Sequence, residues 1–153
     1  MYVLLLTLHS WIRWVALAAL VARVGRAGAG LARHSEVQRA DRVTGLVAMI
    51  AMDLQLTLGI VLYMISPTVH AATADMGAAM KDPVLRFFAV EHSLMMVLAV
   101  VGAHVAHLGV KRAKTHGSAH RIALFGSLVA LLLVLAGTPW PFREAARPLL
   151  RLP

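Results

Sequence analysis

Several ionisable side chains lie within a stretch of the chain that is otherwise apolar enough to cross a membrane. The stretch covers residues 86–114, and between the basic residues at its two ends it carries Glu91, His92, His104 and His107. Ionisable groups are costly inside a bilayer, so their presence there indicates a functional site. Histidine is also a usual axial ligand of haem iron.

A second histidine, His9, lies at a matching position in the first apolar run. His9 is seven residues past Tyr2, and His92 is eight past Val84. If both spans cross in the same direction, both histidines lie about 10–12 Å below one membrane surface. Diagonal helices of a bundle are about 14 Å apart, which predicts that the two imidazoles do not touch. A flat cofactor would fit that gap, and haem b with His9 and His92 as axial ligands of its iron is the candidate.

Other ionisable residues extend this prediction to both sides of the membrane. Arg13 lies one turn deeper than His9 on the same helix face, and Asp53 lies at a similar depth on the antiparallel second span. We therefore predict an Arg13–Asp53 ion pair inside the membrane. His107 is about 22 Å deeper than His92 by helix rise, so it serves only a second haem or a quinone on the other side.

Each of these predictions has a plainer alternative. The histidine pair is also explained by two polar residues that bond to neighbouring helices or line a water-filled pocket. The Arg13–Asp53 pair is also explained as purely structural, and His104 and His107 as interfacial histidines. His116 and His120 lie in a basic turn, where we expect them to be solvated.

The composition indicates an integral membrane protein. The chain has 153 residues, a mean hydropathy of +0.75, and 59% hydrophobic but 14% charged residues, whereas soluble domains average about 25% charged. There is no cysteine, which excludes disulfides, thiolate metal sites and iron–sulfur clusters. The net charge of +8 arises from arginines in short loops between apolar runs, so membrane topology explains it and nucleic acid is not an expected partner. The expected partners are the lipid bilayer and other subunits of a membrane complex.

The apolar runs predict one all-α domain over residues 1–153, a four-helix transmembrane up-down bundle. The predicted spans are residues 2–22, 43–66, 84–110 and 122–137. Glycines at positions 25, 28 and 30 are expected to end the first helix. A short interfacial helix is expected within residues 67–83 and another within residues 144–152.

Lysine and arginine counts predict the orientation of the bundle. The loop at residues 23–42 has five of these residues and the turn at 111–121 has four, whereas the loop between spans 2 and 3 has Lys81 and Arg86. The positive-inside rule therefore places both basic loops in the cytoplasm and both termini outside, N-out and C-out.

Soluble catalytic motifs are absent from the sequence. It contains no glycine-rich phosphate loop, no nucleophile elbow and no H-E-x-x-H pair. Chemistry is therefore expected only from the intramembrane residues.

Several segments resemble a family of small four-span bacterial membrane proteins that are often labelled cytochrome b. They are LHSWIRW, DLQLTLG, MKDPVLRFFAVEH, the pair His120–Arg121 and PWPFR. The similarity covers nearly the whole chain. It implies a b-type cytochrome of the bacterial inner membrane. The positions that it implies are functional are His9, Arg13, Trp14, Gln55, Gly59, Lys81, Arg86, Glu91, His92, His107 and Arg143.

The expected function is that of a b-type haem protein or subunit that transfers electrons, exchanging them with quinone and a partner redox protein. Arg13 and Glu91 are expected to tune the potential. One alternative is a non-redox accessory or scaffold subunit of a larger membrane complex. Another is a membrane enzyme of haem or quinone metabolism that uses its histidines as acids and bases.

Overall fold

The computed structural model describes residues 1–148 and residue 150. In chain order its helices are α1 (Tyr2–Ala32), α2 (Arg39–Ile65), α3 (Pro67–Ala74), α4 (Met76–Ala79), α5 (Pro83–Arg86), α6 (His92–Arg112) and α7 (His116–Gly137), with a π-helical turn at Phe87–Glu91 between α5 and α6. Four segments are long and apolar enough to cross a membrane: α1, α2, the continuous segment Pro83–Arg112, and α7. The predicted all-α, four-helix transmembrane fold is confirmed. The N-out/C-out orientation stays a prediction.

Helix α1 does not end at its glycines, so that prediction is wrong. The helix continues through Gly25, Gly28 and Gly30 to Ala32. Gly30 lies against the ring of His120 on α7, at a distance where any Cβ would overlap the imidazole. Tertiary contact at this small residue therefore offsets the low helix propensity of glycine.

Helices α2 and α7 begin earlier than predicted because polar residues cap them. The backbone N–H of Gln38 donates to Asp41 Oδ2 at 2.8 Å, and α2 begins at Arg39. The N–H of Ser118 donates to Thr115 Oγ1 at 3.1 Å, and α7 begins at His116. These reciprocal caps satisfy backbone donors that a helix otherwise leaves unpaired. The basic turn is therefore only residues 113–115.

The four long helices form a ring: α1 packs on α2, α2 on α6, α6 on α7, and α7 closes the ring against α1. Helices α1 and α6 thus face each other across the diagonal. Helices α6 and α7 pack through small residues: a Cβ on Gly126 would lie 2.7 Å from the Cβ of Ala106. Small residues let membrane helices approach closely.

The middle of the bundle is a tight apolar core. Each of the four long segments contributes at least one core residue that is at most 1% exposed: Ala16 and Leu20, Met52, Ala99, and Ala130. This core divides the bundle interior in two. We call the half that holds His9 and His92 the histidine end, and the half beside loops 33–38 and 113–115 the basic end.

The segment between α2 and α6 is helical, as predicted for residues 67–83, but in three short pieces. Their first turns are capped by Ser66, Asp75 and Asp82. Asp82 Oδ1 accepts the N–H groups of Val84 and Leu85, each at 2.8 Å. Proline at the first helical position supports the same start.

The chain after α7 turns back over the histidine end without forming a helix. The N–H of Arg147 donates to the carbonyl of Pro139 at 3.2 Å, which closes this segment on itself. The helix predicted over residues 144–152 is therefore wrong for residues 144–148. Residues 149, 151 and 152 of that prediction lie outside the described residues.

Candidate functional site

The two predicted ligand histidines meet inside the bundle. His9 on α1 and His92 at the start of α6 have ring centroids 6.3 Å apart, with ring planes at 71°. This confirms the matched depth counted from the sequence. The prediction that the rings cannot touch is wrong, because edge-on ring pairs contact at about 4.5–7 Å between centroids. Both side chains extend inward across the diagonal, so the ring gap is much narrower than the helix separation.

A π-helical turn delivers His92 to this position. The backbone N–H of His92 donates to the carbonyl of Phe87, five residues earlier. The widened turn leaves carbonyls free for side-chain donors: Tyr63 Oη donates to Ala89 at 3.0 Å and Ser93 Oγ donates to Phe88 at 3.2 Å. π-Helical turns inside helices are often found at functional sites.

The end of α7 fixes which nitrogen of His92 carries the proton. His92 Nδ1 lies 2.7 Å from the carbonyl oxygen of Gly137. A carbonyl only accepts, so Nδ1 must be the donor. In the neutral ring Nε2 then keeps its lone pair, and Nε2 makes no hydrogen bond within the described residues. A backbone carbonyl on the far nitrogen is the usual support of a metal-ligating histidine.

His9 is held by Gln55 of α2. The Gln55 Nε2 amide lies 3.0 Å from the backbone carbonyl of His9 and 3.1 Å from its Nε2. An amide N–H donates to both, so the ring accepts at Nε2 and carries its proton on Nδ1. His9 Nδ1 is buried and has no hydrogen-bond partner in the part of the chain that the structure describes. A buried donor without a protein partner is rare.

Arg13 lies beside the histidines, as its spacing predicts. Its side chain is 8% exposed, and its Cζ is 5.3 Å from the ring centre of Trp14. Arg13, His9 and His92 line one cavity of about 130 Å³ with largely apolar walls. A second cavity of about 180 Å³ lies between α2 and α6 and shares the His9 and His92 wall.

The segment after α7 places two further arginines at this end. Arg143 Cζ lies 5.8 Å from the ring centre of Phe87, and Arg147 Cζ lies 4.8 Å from that of Phe88. Arg147 also lines the 130 Å³ cavity. Sequence reasoning missed Arg147, and also Tyr63 and Gly137. Only the PWPFR motif, which ends at Arg143, pointed to this segment.

The acidic residues that sequence reasoning connected with the site lie elsewhere. Glu91 bonds Arg86, with Oε1 2.7 Å from Nε, and lines neither cavity. Asp53 has its carboxylate 3.5 Å from His104 Nε2, and both side chains are substantially exposed. The predicted Arg13–Asp53 pair is therefore wrong.

The position of Asp53 follows from helix geometry. Helix α2 presents Gln55 to α1, and Asp53 lies two residues earlier, about 200° around the helix axis. Its carboxylate therefore faces away from Arg13 and toward α6, where His104 meets it.

The remaining histidines belong to the basic end or to the chain's surface. His107 lines a separate cavity there and does not reach the histidine pair. His120 is 3% exposed, and its Nε2 donates to the carbonyl of Ser35 at 3.1 Å, so the expectation that it is solvated is wrong. His116 is exposed, as expected.

The donors present suit a haem better than a bare metal ion. Among the described residues no group of three or more His, Cys, Asp or Glu could hold a metal ion. A haem iron takes its equatorial ligands from the macrocycle and needs only axial ligands from the protein. Two buried imidazoles meet that need: Nε2 of His92 is free, and Nε2 of His9 becomes free when the Gln55 amide leaves it.

Comparison with known proteins adds no further constraint on this site. No family model matches the chain, and no curated protein and no solved structure matches it.

Proposed function

We propose that the chain is a b-type haem protein of the bacterial inner membrane, with His9 and His92 as axial ligands and one-electron transfer as its function. The observation that supports this most is the 6.3 Å between the ring centroids. A metal–imidazole bond is about 2 Å long, so two imidazoles on one metal ion have their centres about 6 Å apart.

The neighbouring residues have defined roles in this proposal. The Gly137 carbonyl accepts a hydrogen bond from Nδ1–H of His92, which would orient the ring and make Nε2 a stronger ligand. The guanidinium groups of Arg13 and Arg147 line the cavity and would pair with the carboxylate groups of a bound haem. Haem supplies reversible one-electron chemistry when it is bound. The apolar wall of the cavity would keep water away from a bound haem.

The proposal requires the site to open. The two cavities of about 130 and 180 Å³ are each smaller than the roughly 300–1,000 Å³ of typical small-molecule sites. They share a wall, so displacement of side chains between them joins them. Met52 and Met96 line both, and methionine adapts readily to new shapes. The Gln55 amide must also leave His9 Nε2 for that nitrogen to ligate iron.

The predicted N-out/C-out orientation places the histidine end near the outer membrane surface. Quinone from the bilayer is then a candidate electron partner, reaching the site through the groove between α2 and α6. The exposed Asp53–His104 pair supports a further subunit on this flank, because ionisable groups facing lipid are costly.

The haem content of purified variants tests the proposal. We expect about one haem per chain in the wild-type protein produced with ample haem, and a loss of most of it in His9→Ala and His92→Ala. His104→Ala is the matched control, because it removes another intramembrane histidine of α6 outside the cavities. It should keep the wild-type content. A haem-free wild-type protein, or equal losses in all three variants, would contradict the proposal.

A further inference from the structure

A second cavity of a different character lies at the basic end, away from the histidine pair. Its volume is about 510 Å³, within the range of ligand sites. The ionisable side chains that line it come from all four long segments and the loop before α7. They are Arg23, Arg42, His107, Lys111, Lys114 and His116. No Asp or Glu is among the described residues that line it.

Few carboxylates of the protein lie close enough to neutralise the basic side chains of this cavity. Arg42, Lys111 and Lys114 have no carboxylate within ion-pair distance in the described part of the chain. Arg23 is 4% exposed and donates to the backbone carbonyl of Asp41, which is a neutral acceptor. A buried guanidinium that faces a cavity without a charged partner favours an anion there.

The nearby carboxylate of Asp41 is already engaged. Its Oδ1 accepts from Arg26 Nε at 2.9 Å, and its Oδ2 accepts the N–H of Gln38 at 2.8 Å. This carboxylate stabilises the start of α2 and does not line the 510 Å³ cavity. It offsets part of the charge of Arg23. Among the described residues, Arg42, Lys111 and Lys114 remain without a carboxylate partner.

The two histidines of the cavity add hydrogen-bond donors. His116 Nδ1 accepts the N–H of Val37 at 3.1 Å, so in the neutral ring the proton is on Nε2. His107 makes no hydrogen bond to any described residue, although it lies on a membrane-spanning helix. Both rings can therefore donate to an anion.

We propose that this cavity binds the phosphate group of an anionic lipid headgroup. Convergent lysine and arginine side chains without carboxylates are the chemistry that recognises phosphate. The cavity lies at the ends of membrane-spanning helices, where headgroups are found, and basic pockets between such helices bind anionic lipids. Val37 and Val110 add an apolar side for the glycerol and ester region of a lipid. The inference does not depend on the histidine pair.

Lipid binding to the delipidated protein in neutral detergent tests this proposal. The probes are phosphatidylglycerol and phosphatidylcholine with identical acyl chains, and the readout is the bound fraction measured by native mass spectrometry. We expect phosphatidylglycerol to bind more tightly. Each basic residue contributes about a fivefold effect, so Arg42→Gln with Lys114→Gln should weaken its binding about 25-fold.

The matched control is the double variant Arg33→Gln with Arg112→Gln, which removes the same charge from exposed positions of the basic end outside the cavity. It should leave the affinity within experimental error. All the substituted residues are exposed, so circular dichroism should show the wild-type helix content. Equal binding of the two lipids, or equal weakening in both double variants, would overturn the proposal. If inorganic phosphate at the same concentration displaced phosphatidylglycerol, the phosphate group that the cavity binds would not need to belong to a lipid.

Discussion

His9 and His92 differ in how strongly the protein fixes their ligating nitrogens. The Gly137 carbonyl fixes His92 through Nδ1 and leaves Nε2 free. Gln55 instead occupies Nε2 of His9 and leaves Nδ1 buried without a partner among the described residues. His92 is therefore prepared for axial ligation, whereas His9 becomes available only when Gln55 moves.

This difference predicts the effect of a substitution at Gln55. Gln55→Leu keeps a side chain of similar size but removes the amide that donates to His9 Nε2. We expect haem content equal to or above that of the wild-type protein, because the lone pair of His9 is released. Titration of the apoprotein with haem, followed by absorbance, measures it. A loss as complete as that of His9→Ala would contradict this account of Gln55.

For single residues, the sequence predicted the membrane depth of the two histidines correctly and the direction of the Asp53 side chain incorrectly. Counting residues from the span ends placed His9 and His92 at one level, because the helix rise is constant. It did not predict the direction of the Asp53 side chain, because a matched depth does not specify which face of the helix a residue occupies. Gln55 and Gly59 were named only through the resemblance, and the Gly137 carbonyl leaves no side-chain signal.

The π-helical turn at Phe87–Glu91 is the element on which the site depends. A π-helical turn contains one extra residue. The residues before the turn therefore lie on different helix faces, relative to the residues after it, than in a regular α-helix. Glu91 therefore points to Arg86, and not toward the cavity. The sequence led us to expect that Glu91 tunes the potential of the haem, and it did not predict the π-helical turn, because no residue type specifies one. The cap of α5 by Asp82 and Pro83, in contrast, follows a recognisable sequence pattern.

The close approach of α6 and α7 leaves little room for a larger side chain at the contact. Gly126→Ala would place a Cβ 2.7 Å from the Ala106 Cβ. We expect a loss of about 1–3 kcal/mol in the free energy of unfolding, because overpacking forces the helices apart. Unfolding in detergent, followed by circular dichroism, measures this loss.

Gly25→Ala is the matched control for this substitution. A Cβ at Gly25 meets nothing within 4 Å. The change should leave stability equal or raise it by up to about 1 kcal/mol, since alanine is the better helix former. Similar stability changes in the two variants would mean that the close approach of α6 and α7 is not needed.

At the scale of the whole molecule, the fold was predictable because a bilayer permits few alternatives. Backbone groups in hydrocarbon must bond within their own segment, so long apolar runs become helices. Hydropathy therefore identified all four spans. Their ends were less predictable because polar caps at Gln38 and Thr115 extended helices into loops that composition alone had marked as basic turns.

The charge distribution predicts the orientation of the molecule. The basic end holds the 510 Å³ cavity with its basic lining and both basic loops, so we expect it to face the cytoplasm. A reporter fused to the C-terminus should therefore read as extracytoplasmic, and one inserted at residue 114 as cytoplasmic. The opposite pair of readings would reverse the orientation and place the histidine pair near the cytoplasm.

The central claim is that one haem iron is ligated by both His9 and His92, and the electron paramagnetic resonance spectrum of the oxidised protein tests it most directly. Two imidazole ligands predict a low-spin ferric signal in the wild-type protein. In His9→Ala this signal should give way to a high-spin signal or disappear with the haem. A high-spin wild-type spectrum, or a low-spin signal that persists unchanged in His9→Ala and His92→Ala, would contradict the account.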